Sequence, residues 1–180
     1  MFDVASLIAL AALIVALVVP CTQMACQTPK LSVSFLTRPH DYCLDCIIEN
    51  APIKQPVLRF FGLTRNAADI HASFFIEEAG SHKRVCPLMQ AMIDPGTGVV
   101  AIRARLPAGD LPAIARVVRA DANTGQASIV SSKGKTALPH GIYDLTITVA
   151  ASERSVTEIH RFHVGEAARD LYWDTPPTPV

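Results

Sequence analysis

The chain has 180 residues, of which 50% are hydrophobic and 18% are charged. This composition excludes an intrinsically disordered protein and is sufficient for one folded domain with its own core. Sixteen basic residues balance sixteen acidic residues. A net charge of zero gives no general attraction for a phosphate backbone, so we expect no nucleic acid among the partners.

The chain begins with a strongly apolar segment. Residues 4–19 are all apolar except Ser6, and the run ends at Pro20. As a helix this run is about 24 Å long, slightly shorter than the roughly 30 Å of a bilayer core. It is therefore typical of a short transmembrane helix or of the apolar region of a signal peptide. We assign residues 1–25 as a membrane anchor or signal segment, with residues 2–20 contacting the membrane, and we prefer an uncleaved anchor.

Two features indicate opposite locations for the rest of the chain. Lys30 and Arg38 follow the apolar run and Asp3 precedes it, so the positive-inside rule places the following domain in the cytoplasm. Four of the five cysteines lie within residues 21–46, a pattern typical of oxidising compartments. We predict an extracytoplasmic domain, in the periplasm, in a lumen or at the cell exterior, and keep the cytoplasmic orientation as the alternative.

Alternation of apolar and polar residues is the main structural signal in residues 26–166, which we assign to one domain. A period of two is typical of a strand with one buried face. Strands are predicted at residues 31–35, 57–62, 70–77, 100–106, 143–149 and 156–164. Residues 110–123 fit either a helix or one arm of a hairpin that turns at residues 123–125, and we favour the hairpin.

About seven or eight short strands without long helices between them predict an all-β antiparallel sandwich. Residues 138–145 have the sequence Leu-Pro-His-Gly-Ile-Tyr-Asp-Leu, and residues 162–165 end the following strand. This stretch resembles the last hairpin of immunoglobulin-like domains, in which a turn containing Pro and Gly precedes a Tyr-x-Leu strand. The resemblance implies an immunoglobulin-like sandwich and nothing about activity.

The densest cluster of reactive side chains surrounds a C-x-x-C pair, Cys43 and Cys46, with His40 three residues before it. Thiolate and imidazole are good ligands for zinc and copper, and a C-x-x-C pair is also found in redox-active dithiols. A single C-x-x-C supplies only two of the ligands that a metal needs. We therefore predict structural disulfides among Cys21, Cys26, Cys43 and Cys46, and keep a metal site or redox chemistry as alternatives.

A second group of sulfur atoms comes from Cys86, Met89 and Met92, spaced three residues apart. Soft sulfur ligands select Cu(I), whereas methionine more often fills gaps in a core. We predict core packing, with a copper site that includes these residues and His40 as the alternative.

The last segment, residues 167–180, combines aromatic residues with a proline-rich end. Leu171, Tyr172 and Trp173 precede a stretch that includes Pro176 and Pro177. Prolines favour an extended polyproline conformation, which suits docking on a partner. We predict a partner-binding tail formed by these five residues; the alternative is that Tyr172 and Trp173 fold back onto their own domain.

No catalytic motif is present with all of its required residues, and we predict that the protein is not an enzyme. The sequence favours a membrane-anchored accessory or interaction subunit of a membrane or envelope protein complex. It would bind other membrane or envelope proteins through its sandwich and tail, without a cofactor. The alternative is a copper-binding or thiol-redox chaperone that uses Cys43, Cys46, Cys86 and the nearby Met and His residues.

Overall fold

The computed structural model describes residues 3–52, 67–109, 111–152 and 154–174, with the side chains of residues 21–27 outside the description. These ranges form an N-terminal helix and a domain built of strands. The helix is α1 (Val4–Gln27), and the strands are β1 (Leu31–Arg38), β2 (Cys43–Asn50), β3 (Ala67–Glu78), β4 (Met89–Gln90), β5 (Met92–Asp94), β6 (Ala104–Leu106), β7 (Ala113–Ala120), β8 (Ala127–Ser131), β9 (Gly134–Leu138), β10 (Gly141–Ala151), β11 (Arg154–Val164) and β12 (Leu171–Trp173).

The strands form two antiparallel sheets, consistent with a β-sandwich. The first sheet has the order β1-β2-β7-β8-β9, and β5 also pairs with β7. The second has the order β12-β11-β10-β3-β4, and β6 also pairs with β3. Between β4 and β5 the chain crosses from one sheet to the other at Ala91, whose N–H donates to the carbonyl of Ala72. The prediction of an all-β protein with two antiparallel layers is therefore confirmed.

The core lies between the two sheets, where the alternating side chains of the long strands meet. In β3, Ile70, Ala72, Phe74 and Ile76 are all buried, as the alternation predicts. The same holds in β10 for the residues of odd number from Tyr143 to Ala151. The largest fully buried side chains include those of Phe74, Phe162, Leu44, Ile48, Ile70 and Leu145.

The described part of the ambiguous segment, residues 111–123, contains β7 and the start of a hairpin turn. β7 pairs with β8 through Val118↔Ile129 and its neighbours. The Asp121 carboxylate closes the turn by accepting hydrogen bonds from the N–H groups of Asn123 and Thr124, both at 2.9 Å. Gly125 then takes a φ of +70°, in the left-handed region that favours glycine. The preferred hairpin is thus confirmed.

One predicted strand is much shorter than expected. Within residues 100–106 only β6 is a strand, and Val100 and Ile102 are 50% and 39% exposed instead of facing the core. The reason is the preceding loop, in which the Asp94 carboxylate accepts the N–H groups of Gly96 and Gly98 and holds a wide turn. The predicted strand at residues 57–62 lies outside the described residues.

The helix α1 is longer than the apolar run. The Asp3 side chain caps it by accepting the N–H of Ala5, and the helix continues through Pro20 to Gln27, past the predicted boundary at residue 25. Three residues then connect it to β1. Within the part of the chain that the structure describes, no helix is both long enough and apolar enough to cross a membrane.

A buried carboxylate joins three strands of the first sheet. Asp45 in β2 is fully buried, yet its side chain lies on the outer side of the sheet, opposite to its core-facing neighbour Leu44. Its oxygens pair with Arg38 Nε of β1 at 2.8 Å and with Arg116 Nε of β7 at 3.2 Å. Both arginine side chains stay about one-third exposed, 34% and 39%, although Arg38 Nε itself is buried with the carboxylate. This arrangement limits the desolvation cost of the ion pairs.

Asp45→Asn is expected to lower the free energy of unfolding by about 1–3 kcal/mol, because it removes two charge-assisted contacts at a buried position. Denaturant unfolding followed by circular dichroism measures the change. Asp144→Asn is the matched control, since Asp144 also pairs with an arginine, Arg161, which is 50% exposed. Exposed pairs contribute at most about 1 kcal/mol. Equal losses in the two variants would contradict a special role for Asp45.

Candidate functional site

The structure separates the two thiols of the C-x-x-C pair. Cys43 and Cys46 are three residues apart in β2, so their side chains point to opposite faces of the sheet. Cys46 lies in the core between the sheets. Cys43 lies on the outer face, where its Sγ donates to the carbonyl of Asp41 at 3.1 Å. The pair therefore does not close a disulfide or bind one metal ion together.

The second sulfur group is also divided. Cys86 and Met89 are buried in the core, which confirms core packing for these two residues. Met92 belongs to β5 in the other sheet and is half-buried. Among the described residues, no three His, Cys, Asp or Glu side chains are placed to hold a metal ion. The structure therefore does not bring His40, Cys43, Cys46, Cys86, Met89 and Met92 together.

The three described thiols are free and buried. This differs from the predicted disulfides for Cys43 and Cys46; the side chains of Cys21 and Cys26 lie outside the description. Burial away from water raises the pKa of Cys46, and the neighbouring Asp45 raises it further. Burial is also the main cause that raises the pKa of Cys43 and of Cys86, although nearby arginines oppose it. At neutral pH these cysteines are therefore protonated and poor nucleophiles or metal ligands.

The described part of the C-terminal segment, residues 167–174, contains a strand of the sandwich. Residues 171–173 form β12, which pairs with β11 through Phe162↔Trp173 and Val164↔Leu171. Leu171 and Trp173 are 4% and 7% exposed, whereas Tyr172 is 46% exposed. The prediction that all three residues are available to a partner is therefore wrong for the two buried ones. Pro176 and Pro177 lie outside the described residues.

Trp173 joins the edges of the two sheets. Its Nε1–H donates to the carbonyl of Leu36 in β1 at 3.1 Å, and its backbone N–H donates to Thr37 Oγ1 at 3.2 Å. Its ring packs edge-on against Phe35 and Phe162, with centroids 4.9 and 5.5 Å away. Sequence analysis missed this role, because the contacts link residues that are about 140 positions apart.

Beside this cluster, His163 and Tyr172 form a partly exposed surface. Their rings are stacked, with centroids 4.9 Å apart. His163 Nε2 lies 2.8 Å from a carboxylate oxygen of Asp174. Tyr172 is the member of the predicted partner-binding set that is described and accessible.

An open cleft of about 740 Å³ lies at the end of the sandwich opposite to the helix. The loop between β1 and β2, the β7–β8 turn and the outer faces of β8 and β9 line it. Arg119 and Lys135 line the cleft, and neither forms a salt bridge with a described residue. A bulge explains the position of Arg119. Because Val117 is the extra residue in β7, Arg116 and Arg119 share the outer face although they are three positions apart.

The helix α1 exposes its apolar side chains. The Val, Leu and Ile side chains of residues 4–19 are between 42% and 70% exposed. Thr28, Pro29 and Lys30 connect the helix to β1. The helix thus extends from the sandwich without covering its own apolar surface.

Comparison with protein-family models, with curated proteins and with solved structures gave no match.

The three buried thiols are expected to resist alkylation in the folded protein. Iodoacetamide at pH 7.5 followed by peptide mass spectrometry should leave Cys43, Cys46 and Cys86 unmodified, because they are buried and protonated. The same treatment in denaturant should modify all three. Rapid modification of Cys43 in the folded protein, or a disulfide that includes any of the three, would contradict the structure.

Trp173→Ala is expected to destabilise the domain by about 3–5 kcal/mol, as is usual when a buried tryptophan is truncated. Tyr172→Ala is the matched control on the same strand, and its loss should stay within about 1 kcal/mol since the ring is half-exposed. Thermal unfolding followed by circular dichroism compares the two variants. If both have the stability of the wild type, β12 does not contribute to the fold.

Proposed function

We propose that the protein is a non-catalytic accessory subunit of a membrane or envelope protein complex, held at the membrane by residues 2–20. Its immunoglobulin-like domain would lie outside the cytoplasm and bind other membrane or envelope proteins. The observation that carries this proposal is the exposed apolar surface of α1, next to a sandwich whose described core contains no side chain of the helix.

The cost of leaving this surface in water supports the membrane as its environment. Burying one Val, Leu or Ile side chain contributes about 1.5–3 kcal/mol. For the exposed side chains of α1 together, the gain from burial is on the order of 15 kcal/mol. The exposed side chains surround the helix, as expected for lipid on all sides and unlike the single apolar stripe of a helix that packs on one protein surface.

The strand pairing supports the immunoglobulin-like assignment. β1-β2-β7-β5 corresponds to strands A-B-E-D of that fold, and β11-β10-β3-β4 corresponds to G-F-C-C′. In this correspondence, β8 and β9 are a hairpin inserted between E and F, and β12 is an addition after G. Tyr143 in β10 donates its O–H to the carbonyl of Pro139 at 2.9 Å, as in the tyrosine corner that precedes strand F.

The cleft at the end away from the helix is the proposed partner surface. A domain tethered by α1 would present this end away from the bilayer, toward other proteins. Arg119 and Lys135 line the cleft together with Asp41 and Asp121, so a polar segment of a neighbouring subunit that carries charges of both signs is the complementary ligand. Tyr172, and by proposal Pro176 and Pro177, would add contacts on the β12 side.

Buried, protonated thiols are compatible with the proposed extracytoplasmic location. Oxidation of cysteine proceeds through the exposed thiolate. Cys43, Cys46 and Cys86 are buried and protonated, so they can stay reduced in an oxidising compartment.

The test is flotation of the full chain with phospholipid vesicles on a density gradient. The wild type should float, and Leu10→Arg with Ile14→Arg should abolish flotation, because each charge at the centre of an inserted helix costs about 2.5–3.5 kcal/mol. Leu10→Ala with Ile14→Ala is the matched control and should still float. Intact mass of the protein extracted from cell membranes should correspond to the full chain.

Two outcomes would contradict the proposal. A wild-type chain that stays at the bottom of the gradient has no affinity for lipid. A mature mass without the first 20 to 25 residues identifies the segment as a signal peptide and the domain as a soluble exported protein.

A further inference from the structure

The outer face of the second sheet is formed by the side chains that alternate with its core residues. In β3 the even-numbered residues from Ile70 to Ile76 are buried, and in β10 the odd-numbered residues from Tyr143 to Ala151 are buried. The strand pairings set the remaining side chains in rows across the outer face. We use the name neutral patch for two neighbouring rows across β3, β10 and β11: Phe75, Thr146 and Ile159, and Ser73, Thr148 and Thr157.

The neutral patch has no charged residue, although it lies on a face that no described element covers. Ile159 is 67% exposed, and Ile142, two rows nearer the cleft on β10, is 44% exposed. The outer face of the first sheet differs, because Arg38, Asp45 and Arg116 form ion pairs there. Exposed apolar side chains without charged residues among them are typical of the centre of a protein–protein interface.

The polar groups in and beside the neutral patch are satisfied within the chain. The hydroxyl groups of Thr148 and Thr157 are hydrogen-bonded at 3.0 Å. In the next row toward the cleft, the guanidinium of Arg161 donates to both carboxylate oxygens of Asp144, at 2.8 and 3.1 Å. Because these groups keep their partners when water is removed, covering this face leaves no buried polar group unpaired.

A second ion pair borders the neutral patch. Glu77, in the row of the first pair, lies 3.3 Å from Arg84, and the Arg84 guanidinium stacks 4.3 Å from the centroid of the Phe75 ring. The nearest exposed charge of β3 on the other side is Asp69, about 14 Å along the strand from Ser73. The bordering row is therefore neutral as a whole, and a partner needs no net charge to match it.

A second copy of this chain matches the face residue by residue. A two-fold axis along β10 sets β3 of one copy against β11 of the other. Phe75, with its stacked guanidinium, then faces Ile159 of the second copy, and Glu77 faces Arg161 of the second copy. Asp144 lies on the axis, where its own Arg161 neutralises it in each copy. Such a contact is isologous and complementary in both shape and charge.

The direction of this axis is compatible with the proposed anchor. A two-fold axis along the strands keeps Leu31 and α1 of both copies at the same end, so both helices can enter one bilayer. A two-fold axis across the strands would turn the helices in opposite directions. Anchoring in one membrane also raises the effective concentration of each copy for the other, which strengthens a contact of moderate size.

The size of the face is sufficient for a specific contact. With strands about 4.8 Å apart and a rise of about 3.4 Å per residue, the outer faces of β3, β10 and β11 cover about 500 Å² in each copy. Two copies together bury about 1,000 Å², the lower limit for a specific interface.

We propose that two copies of this chain in one membrane associate through the outer face of their second sheets, with the neutral patch at the centre of the contact. The inference rests on the proposed insertion of α1 and adds a self-association surface to it. The cleft at the far end of each copy is outside this contact and stays open to the partner protein.

The test is cross-linking of the full chain in phospholipid vesicles at low protein density, with intact mass as the readout. Cys21→Ser and Cys26→Ser first remove the thiols of the helix. Thr146→Cys then places a thiol on the axis, and a bis-maleimide with a spacer of about 10 Å, the distance between packed sheets, should convert most chains to a covalent dimer. Thr148→Cys, in the next row on the same axis, should be cross-linked as well.

Three controls come from the chain itself. Ser34→Cys places a thiol at an exposed position of β1, on the first sheet, and should give no dimer. Ile159→Glu, added to Thr146→Cys, should lower the dimer yield about tenfold or more, because it buries an unpaired charge. Val99→Glu is its matched control, since Val99 is 68% exposed in the β5–β6 connection, and should leave the yield unchanged. Circular dichroism should show the wild-type melting temperature for both glutamate variants.

Each other outcome contradicts a defined part of the inference. If the chain floats with vesicles but Thr146→Cys gives no dimer, this face does not bind a second copy. If Thr148→Cys is not cross-linked, the axis does not follow β10. An equal yield from Ser34→Cys shows random collisions, and an equal loss with Val99→Glu shows an effect of charge alone. A chain that does not float contradicts the proposed function itself.

Discussion

The first sheet depends on a carboxylate that is buried on its outer side. Asp45 is held between Arg38 and Arg116, so one charge fixes β2 against both of its neighbours. An unpaired carboxylate at this depth would be strongly destabilising, and any shift of register by one residue would move Asp45 into the core. The bulge at Val117 contributes to this arrangement, because with it Arg116 pairs with Asp45 and lies on the same face of the sheet as the carboxylate. That constraint also leaves Arg119 on the outer face, where it lines the cleft together with Asp121.

A second constraint joins the beginning of the domain to its end. Trp173, from the last described strand, is hydrogen-bonded to Leu36 and packed on Phe35 in the first strand. The edge of one sheet therefore packs against the edge of the other. The ring of Phe35 also stacks on the ring of His160, with centroids 4.4 Å apart. Because β1 follows the helix after three residues, the strand that leaves α1 is itself part of this closed side of the sandwich.

Sequence patterns predicted the strands that bury one face in the core and leave the other face more exposed. β3 and β10 alternate cleanly because a single register satisfies both the core and the hydrogen bonds. The same alternation would have placed Cys43 and Cys46 on opposite faces of the sheet, if residues 43–50 had been predicted as a strand. The cluster of Cys, His and Asp in this segment indicated a reactive site instead of a strand. The predicted strand at residues 100–106 is shortened to β6, since an Asx-type turn at Asp94 sets where the chain re-enters the sheet. The cleft and the contacts of Trp173 arise from residues far apart in sequence, which no local pattern encodes.

The antiparallel topology gives the molecule two chemically different ends. Loops that start or finish near Leu31 carry exposed apolar side chains and charges of both signs, and loops near Tyr42 and Asp121 carry polar groups around an open cleft. If α1 is inserted in a bilayer as proposed, the loops near Leu31 would lie nearest to the lipid, because only three residues connect the helix to β1. The cleft lined by Asp41, Arg119, Asp121 and Lys135 would then lie at the end of the domain away from the lipid, where a neighbouring protein could reach it.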